Sequence, residues 1–421
     1  MSNVDSEISY AAHELPTEPL FLRQHVDEYY RERVEKTWDG GHIMHGRVPD
    51  GNSILLVSND YLDISGHPEI ARAQIDCLER ERSSVIMSAV FLHGDSPQTA
   101  LEGRMARLVQ MEDAIICQSG YAANVGLLQS IAGPDSVIYI DMLAHTSLWE
   151  GVRSAGARAV PFRHNSAGHL EHQVRRNGAG IIVVDSVYST SGSVAPLADI
   201  IGVAERYDCV AVVDESHSLG THGKHGEGMV ASLGLAHRVH FLTASLAKAF
   251  AGRAGLIACS RRLSEFITYN SFPAIFSSAL LPQEIAGLDA TLDVILEAHQ
   301  RRVRLHQNTV NLRSRLDQLG YNMDASQAQI VALEAGPERQ TIVLRDALES
   351  RGVFGSVFCA PATAKNRSLI RLSINAGLTN EQIDWVVEVC RDIREEVEFA
   401  AWPSTRRKKN KGRADAWAHA A

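Results

Sequence analysis

Thr243 to Gly255 reads TASLAKAFAGRAG, a single amine, Lys248, in a row of mostly small residues. Upstream, VVDESHSLG (Val212 to Gly220) closes an apolar run with Asp214 and places His217 in the turn beyond. A lysine amine can condense with a carbonyl compound. A buried carboxylate can hold a proton on a heteroaromatic nitrogen. Small neighbours leave room for a flat ring. Each residue alone also has an ordinary reading: a turn or N-cap aspartate, a satisfied loop histidine, a solvated lysine. Their order and spacing point to chemistry.

Together the three match the needs of pyridoxal 5′-phosphate (PLP), whose aldehyde takes the lysine and whose pyridine nitrogen needs an acid partner. Lys248 is then the Schiff-base lysine and Asp214 the nitrogen's partner, with His217 bonding the ring hydroxyl or orienting Asp214. A phosphate seat is expected where QSGYAANVG passes from strand to helix near Gly120, because helix N-termini offer free amides to anions. Ser245, three residues before Lys248, adds a hydroxyl. His145 in AHTSLWEG follows the run SVIYID and is placed either to stack on the ring or simply to start a helix.

These residues need strand ends to hold them. AIICQ, SVIYID, ARAVPF, GIIVVDS, CVAVVDES, VHFLTA and GLIACS are short apolar runs, most of them separated by helix-compatible segments. That pattern predicts an α/β domain with a mostly parallel sheet covered on both faces, and ligands at its carboxyl edge. The expected layout is a flexible arm over 1–20, a helix and strand over 21–60, and a large domain over 61–285. A bridging helix over 286–319, a smaller α+β domain over 320–398 and a basic tail over 399–421 follow. The tail holds Arg406, Arg407, Lys408, Lys409 and Lys411 without apolar periodicity and reads as disordered. TNEQ, Thr379 to Gln382, is a capping box for the last helix.

The 421 residues are 45% hydrophobic and 22% charged, with a formal charge of −9, which does not favour wholesale nucleic-acid binding. Six cysteines, none in a CxxC, read as reduced thiols. No apolar run approaches the ~20 residues that span a bilayer. MSNVDSEISY lacks the features of a secretory signal, so a cytoplasmic protein without a membrane partner is expected. GxxxxGK[ST], GxGxxG after a strand, GxSxG and HExxH are missing. His217, His222 and His225 lack a ligand set for zinc, so no metal is expected.

SNDYL, QSGYAAN, the AHTSLWEG block, DSVYS, VDESHSLG and the lysine segment resemble the α-oxoamine synthases, fold-type I PLP-dependent transferases of the aspartate aminotransferase-like fold. The resemblance runs from about Leu20 to about Glu396. YIDMLAHTSLWEG, GIIVVDSVYST, VDESHSLGTHG, FPAIFSSALLP and GVFGSVFC narrow it to the CqsA-type α-hydroxyketone autoinducer synthases of quorum sensing. Where the typical family has a glycine-rich loop, this chain has MSAVFLHGD, Met87 to Asp95. The fold implied is a large domain with a seven-stranded, mostly parallel sheet plus a smaller α+β C-terminal domain. Lys248 is implied as PLP lysine and proton-transfer base and Asp214 as partner of the pyridine nitrogen. His217 and Ser189 would lie by the ring hydroxyl, His145 over the ring, and Gly120, Tyr121 and Ser245 around the phosphate. Ser277 and Ser278 would reach the neighbouring subunit's phosphate, which implies a homodimer with active sites at the subunit interface. Arg371 would take the substrate carboxylate, with Asn59 and Tyr61 lining the entrance. The implied activity is a decarboxylating condensation of an α-amino acid, or S-adenosylmethionine, with a medium-chain acyl-CoA. Other family members and a non-catalytic regulatory subunit are the alternatives.

Overall fold

Five-residue aliphatic runs build the larger sheet of the computed structural model, which describes residues 17–81, 86–92 and 94–406. Its strands are β2 (Asp113–Cys117), β3 (Val137–Asp141), β4 (Arg158–Phe162), β5 (Ile181–Asp185), β6 (Val210–Asp214), β7 (Phe241–Ser245) and β8 (Gly255–Cys259), in the order β2-β8-β7-β6-β5-β3-β4. All neighbours are parallel except that β8 runs against both β2 and β7. Nine residues, 246–254, join β7 to β8. That is too short for a crossover, so the chain must turn back on itself.

Both faces of the sheet are apolar. Ile181 and Val183 of β5 enter one buried layer, and Ile182 and Val184 enter the other. Each fully buried aliphatic side chain contributes ~1.5–3 kcal/mol. The sheet therefore supplies the rigidity, and the polar residues at its edge are held by it. Asp141, Asp185, Asp214 and Ser245 end their strands at one edge, where Cys117 and Gly255 also meet. The register sets Asp185 beside Asp214 and Asp214 beside Thr243.

A second sheet has the order β1-β10-β11-β9, from β1 (Ile54–Leu56), β9 (Ile330–Gly336), β10 (Val353–Phe358) and β11 (Ser368–Ser373). β1 pairs in parallel with β10, so the segment leading to Asn59 and Tyr61 is anchored beside the C-terminal strands. The expected capping box closes on Thr379, whose hydroxyl accepts from Gln382 N while the Gln382 side chain accepts from Thr379 N at 3.0 Å.

The pattern expected as one bridging helix is two, Pro282–Glu297 and His299–Gln318, broken at Ala298, whose ψ of 27° leaves the helical range. The stretch expected as the start of a loose tail is also packed. Trp402 is buried against Phe399 and Tyr321, its Nε1 donates to Val397 O at 2.9 Å, and Ser404 Oγ donates to Glu334 O. The basic residues from Arg407 onward lie outside the described residues.

The chain divides at Gly46 into two units. In the first, a helix Leu20–Tyr29 runs into a π-helical turn Tyr30–Glu35, and Tyr29 OH meets His42 Nε2 at 3.1 Å. Everything that follows concerns the second unit. Among the described residues no helix is long and apolar enough to cross a membrane.

Candidate active site

The sheet edge places Asp214 first. Its carboxylate is buried, accepting from Asn124 Nδ2 at 2.7 Å on one oxygen and from Ser216 N at 2.8 Å on the other. Asn124 comes from the helix Gly120–Ile131, its Oδ1 accepts from Thr243 Oγ1 at 2.6 Å, and its Nδ2 also lies 2.9 Å from Ser147 Oγ. Ser147 Oγ lies 2.7 Å from His145 Nδ1. A continuous polar chain thus joins Asp214 to His145. His145 caps the helix Thr146–Ser154, accepting from Ser147 N, and its own amide donates to Asp185 at 3.1 Å. Surrounding protein lowers the His145 pKa, Asp214 raises it and Lys248 lowers it again, so both charges are within reach of the ring.

Asp185 stands in register beside Asp214, and burial together with that second carboxylate pushes its pKa well up. Of the two, Asp214 has the hydrogen-bond donors that suit an ionised carboxylate.

Gly120 begins its helix packed on Ser245. A Cβ there would lie 2.5 Å from Ser245 Cβ and 2.7 Å from its Cα. Ser119 caps the helix by accepting from Ala122 N at 3.0 Å, which leaves the Gly120 and Tyr121 amides without a protein acceptor among the described residues. Ser245 N is fixed by Ser216 Oγ at 2.7 Å. The Tyr121 side chain is exposed.

Lys248 is half-buried and has no ion pair among the described residues. Burial lowers its pKa, Arg371 lowers it further, and Asp214 opposes both. Arg371, on β11, is only 5% exposed. Its Nη1 donates to Ser189 O at 2.9 Å and its Nη2 to Asn59 Oδ1 at 3.0 Å, both neutral acceptors, and it lies 4.7 Å over the Phe358 ring. No carboxylate faces it among the described residues.

His217 is buried, and its pKa is pushed well below the usual value by burial, then by Lys248, Arg371 and His145. Tyr61 OH lies 2.7 Å from His217 Nδ1 and 3.2 Å from Asn59 Oδ1. Asn59 Oδ1 accepts from both Tyr61 OH and Arg371 Nη2, one on each lone pair, and the contact of Tyr61 OH with Nδ1 joins the imidazole to the same network. Tyr61 was expected at the entrance. It is fully buried beneath His217, because β1 pins its segment against β10.

Ser189 enters through its backbone carbonyl. Ser277 and Ser278 are exposed, following the helix Phe272–Phe276, and Ser278 pairs with Ser88 of the 87–95 segment. Neither hydrogen-bonds the residues of the sheet edge within the described chain. Asn124, Ser147 and Thr243 were missed in the sequence. The available signal was Asn124, an amide on the apolar stretch GYAANVGLL.

The family model for aminotransferase class I and II matches residues 52–389. CAI-1 autoinducer synthase of Vibrio campbellii is 48% identical over 384 residues, covering 91% of this chain and 98% of that protein. 8-Amino-7-oxononanoate synthase 1 of Bacillus velezensis is 32% identical over 90% of this chain and 98% of its own. A solved serine palmitoyltransferase variant with PLP is 25% identical and superposes with a TM-score of 0.82, over 91% of this chain and 100% of that one. The chain belongs to the α-oxoamine synthases, within the class I and II aminotransferase family. It is a PLP-dependent enzyme of acyltransferase type.

For an α-oxoamine synthase the residues fit the cofactor on physical grounds. Two unused amides and a hydroxyl form an anion seat that a Cβ at Gly120 would fill. A half-buried amine has no counter-ion at contact among the described residues, and a buried carboxylate lies at the adjacent strand end.

Proposed function

We propose that the chain joins an α-amino acid to an acyl-CoA with loss of CO2, releasing free CoA and an α-aminoketone. In this reading the acyl donor is of medium length, and the amino donor is 2-aminobutyrate or S-adenosylmethionine. The aminoketone is the precursor of an α-hydroxyketone signal completed by later steps. The observation that carries the reading is Arg371: a buried guanidinium with no carboxylate opposite it among the described residues, close enough to depress Lys248. An α-amino acid supplies the missing carboxylate beside the amine. The autoinducer branch is supported by the 48% identity to CAI-1 autoinducer synthase and by the 87–95 segment, which replaces a glycine-rich loop.

Bound PLP would supply an electron sink for negative charge developing at the amino acid's α-carbon. Lys248 would hold the cofactor through Nζ. Once freed by the substrate's amine, it would take the α-proton on the same atom, and its lowered pKa favours the neutral form a base requires. Asp214, fixed by Asn124 and Ser216, would keep the pyridine nitrogen protonated. The Gly120 and Tyr121 amides and the Ser245 hydroxyl would hold phosphate. Ser277 and Ser278 would serve the phosphate of a second subunit, giving a homodimer with shared sites. His145 would cover the ring. His217 would hydrogen-bond the ring hydroxyl, with Ser189 nearby. Arg371, steadied by Asn59 and the Ser189 carbonyl, would seat the substrate carboxylate and hold the amino acid in one orientation beside the Lys248 amine, a gain from positioning. Residues 61–285 then carry the cofactor, 320–398 the arginine, and 286–319 joins them.

Purified enzyme with decanoyl-CoA and 2-aminobutyrate or S-adenosylmethionine should yield the decarboxylated ketone by mass spectrometry. Preference for acetyl-CoA or a pimeloyl donor would reject the branch. Borohydride should bleach the bound cofactor and leave pyridoxyl on Lys248. Lys248→Ala should bind PLP without turnover, and near-normal turnover by that variant would contradict the mechanism.

A further inference from the structure

The turn that carries Ser189 is held from two sides. Within it, Val187 bridges Val194, Tyr188 N donates to Ser193 O and Gly192 N to Tyr188 O, both at 2.9 Å. From the large sheet, His164 Nε2 meets Ser193 Oγ at 2.8 Å while His164 Nδ1 meets the buried Asp141 at 3.0 Å. The His164 ring also packs edge-on against Tyr188 at 4.4 Å, and Asn165 Nδ2 donates to Val194 O at 2.8 Å. From the approach to β9, the amides of Gln327 and Ala328 donate to Gly192 O at 2.9 Å, and Gln327 Oε1 accepts from Val194 N. A side chain at Gly192 would collide with Ile330 O at 2.2 Å.

Asp141, His164 and Ser193 have the connectivity of a nucleophilic triad. Ser193 is only 4% exposed, however, and its Oγ is also engaged by Ser191 Oγ at 2.9 Å, so no substrate carbonyl can reach it. The arrangement therefore acts on the turn. What the turn delivers is the Ser189 carbonyl, one of the two acceptors that aim Arg371. The other, Asn59 Oδ1, belongs to a rotatable side chain. A backbone carbonyl has only the direction its turn imposes.

We propose that His164 is a positioning residue for amino-acid recognition: through Ser193 it fixes the turn whose Ser189 carbonyl orients Arg371. The inference rests on the reading of Arg371 as the carboxylate seat.

The test uses two amines that differ only by a carboxylate, L-2-aminobutyrate and propylamine, titrated into PLP-loaded enzyme and followed by the change in cofactor absorbance. Wild type should prefer the amino acid. His164→Ala and the milder Ser193→Ala should each reduce that preference about tenfold, the scale of one misplaced charged hydrogen bond, with propylamine affinity little changed. An unchanged preference in both variants, or equal weakening of both amines, would overturn the proposal. A wild type with no preference at all sinks the Arg371 reading itself, before any variant is compared. Retention of bound PLP shows that a variant has folded, and Ser193→Ala, which removes one oxygen, keeps the test available if His164→Ala does not fold.

Discussion

Replacing Arg371 with leucine separates binding from folding. In the free protein the guanidinium makes two hydrogen bonds, at 2.9 and 3.0 Å, and lies over Phe358. Bonds to a charged group contribute about 1.5–3 kcal/mol each, and a cation over a ring about 0.5–2 kcal/mol. Against this stands the cost of burying a cation with no anion opposite among the described residues, several kcal/mol. The two sides nearly cancel. Arg371→Leu should therefore change stability by no more than about 2 kcal/mol, a midpoint shift within about 5 °C. Losing the partner of a buried carboxylate costs more, about 2–5 kcal/mol. Affinity for L-2-aminobutyrate should then fall by about 30-fold to several thousand-fold, while propylamine binds as before.

The same variant has a signature with a defined sign. Burial is the first cause of the lowered Lys248 pKa and the Arg371 charge the second. Removing that charge makes the protonated amine easier to form, so the Lys248 pKa should rise. In PLP-free protein, the pH profile for the rate of PLP attachment should shift towards higher pH in Arg371→Leu. A large drop in melting temperature would make Arg371 a structural residue. Undiminished amino-acid affinity, or a profile that moves to lower pH, would refute the charge argument.

Glu215 is fully buried, with one oxygen accepting from Val230 N at 2.9 Å and the other pressed on Gly228, and burial pushes its pKa up to about 8. The folded state binds this proton more tightly than the unfolded chain, so the contribution is full below about 4.5 and is lost as pH rises through about 8. Glu215→Gln should remove that slope, on the order of 5 kcal/mol across the window, in melts run from pH 5 to 9; parallel curves for wild type and variant would contradict it. Gly120→Ala places a Cβ 2.5 Å from Ser245 Cβ and must push the helix off β7. PLP affinity should fall at least about tenfold in a fluorescence titration, and unchanged affinity would remove Gly120 from the cradle.

That Lys248, Asp214 and Gly120 gather at one sheet edge was legible because each sits where a short buried run turns polar at the same end of its strand, a local property. The direction of β8 was not read, although the nine residues between β7 and β8 carried the signal, since a parallel return needs a dozen or more. Apolar periodicity is the same for either direction. Tyr61 was misplaced for a different reason. Its partner His217 is 156 positions away, and only the pairing of β1 with β10 buries it there. Arg371 and Ser189 are 182 positions apart, and Arg371 and Asn59 are 312 apart. These long-range contacts come through side-chain and carbonyl atoms whose residue types are common, so no short motif records them. The strand ends that would hold a cofactor are written locally, whereas the groups that would select its substrate are assembled only when the two sheets meet. If Arg371 seats the substrate carboxylate, altering the turn at 187–194 should shift amino-acid preference while the Lys248 and Asp214 motifs stay intact.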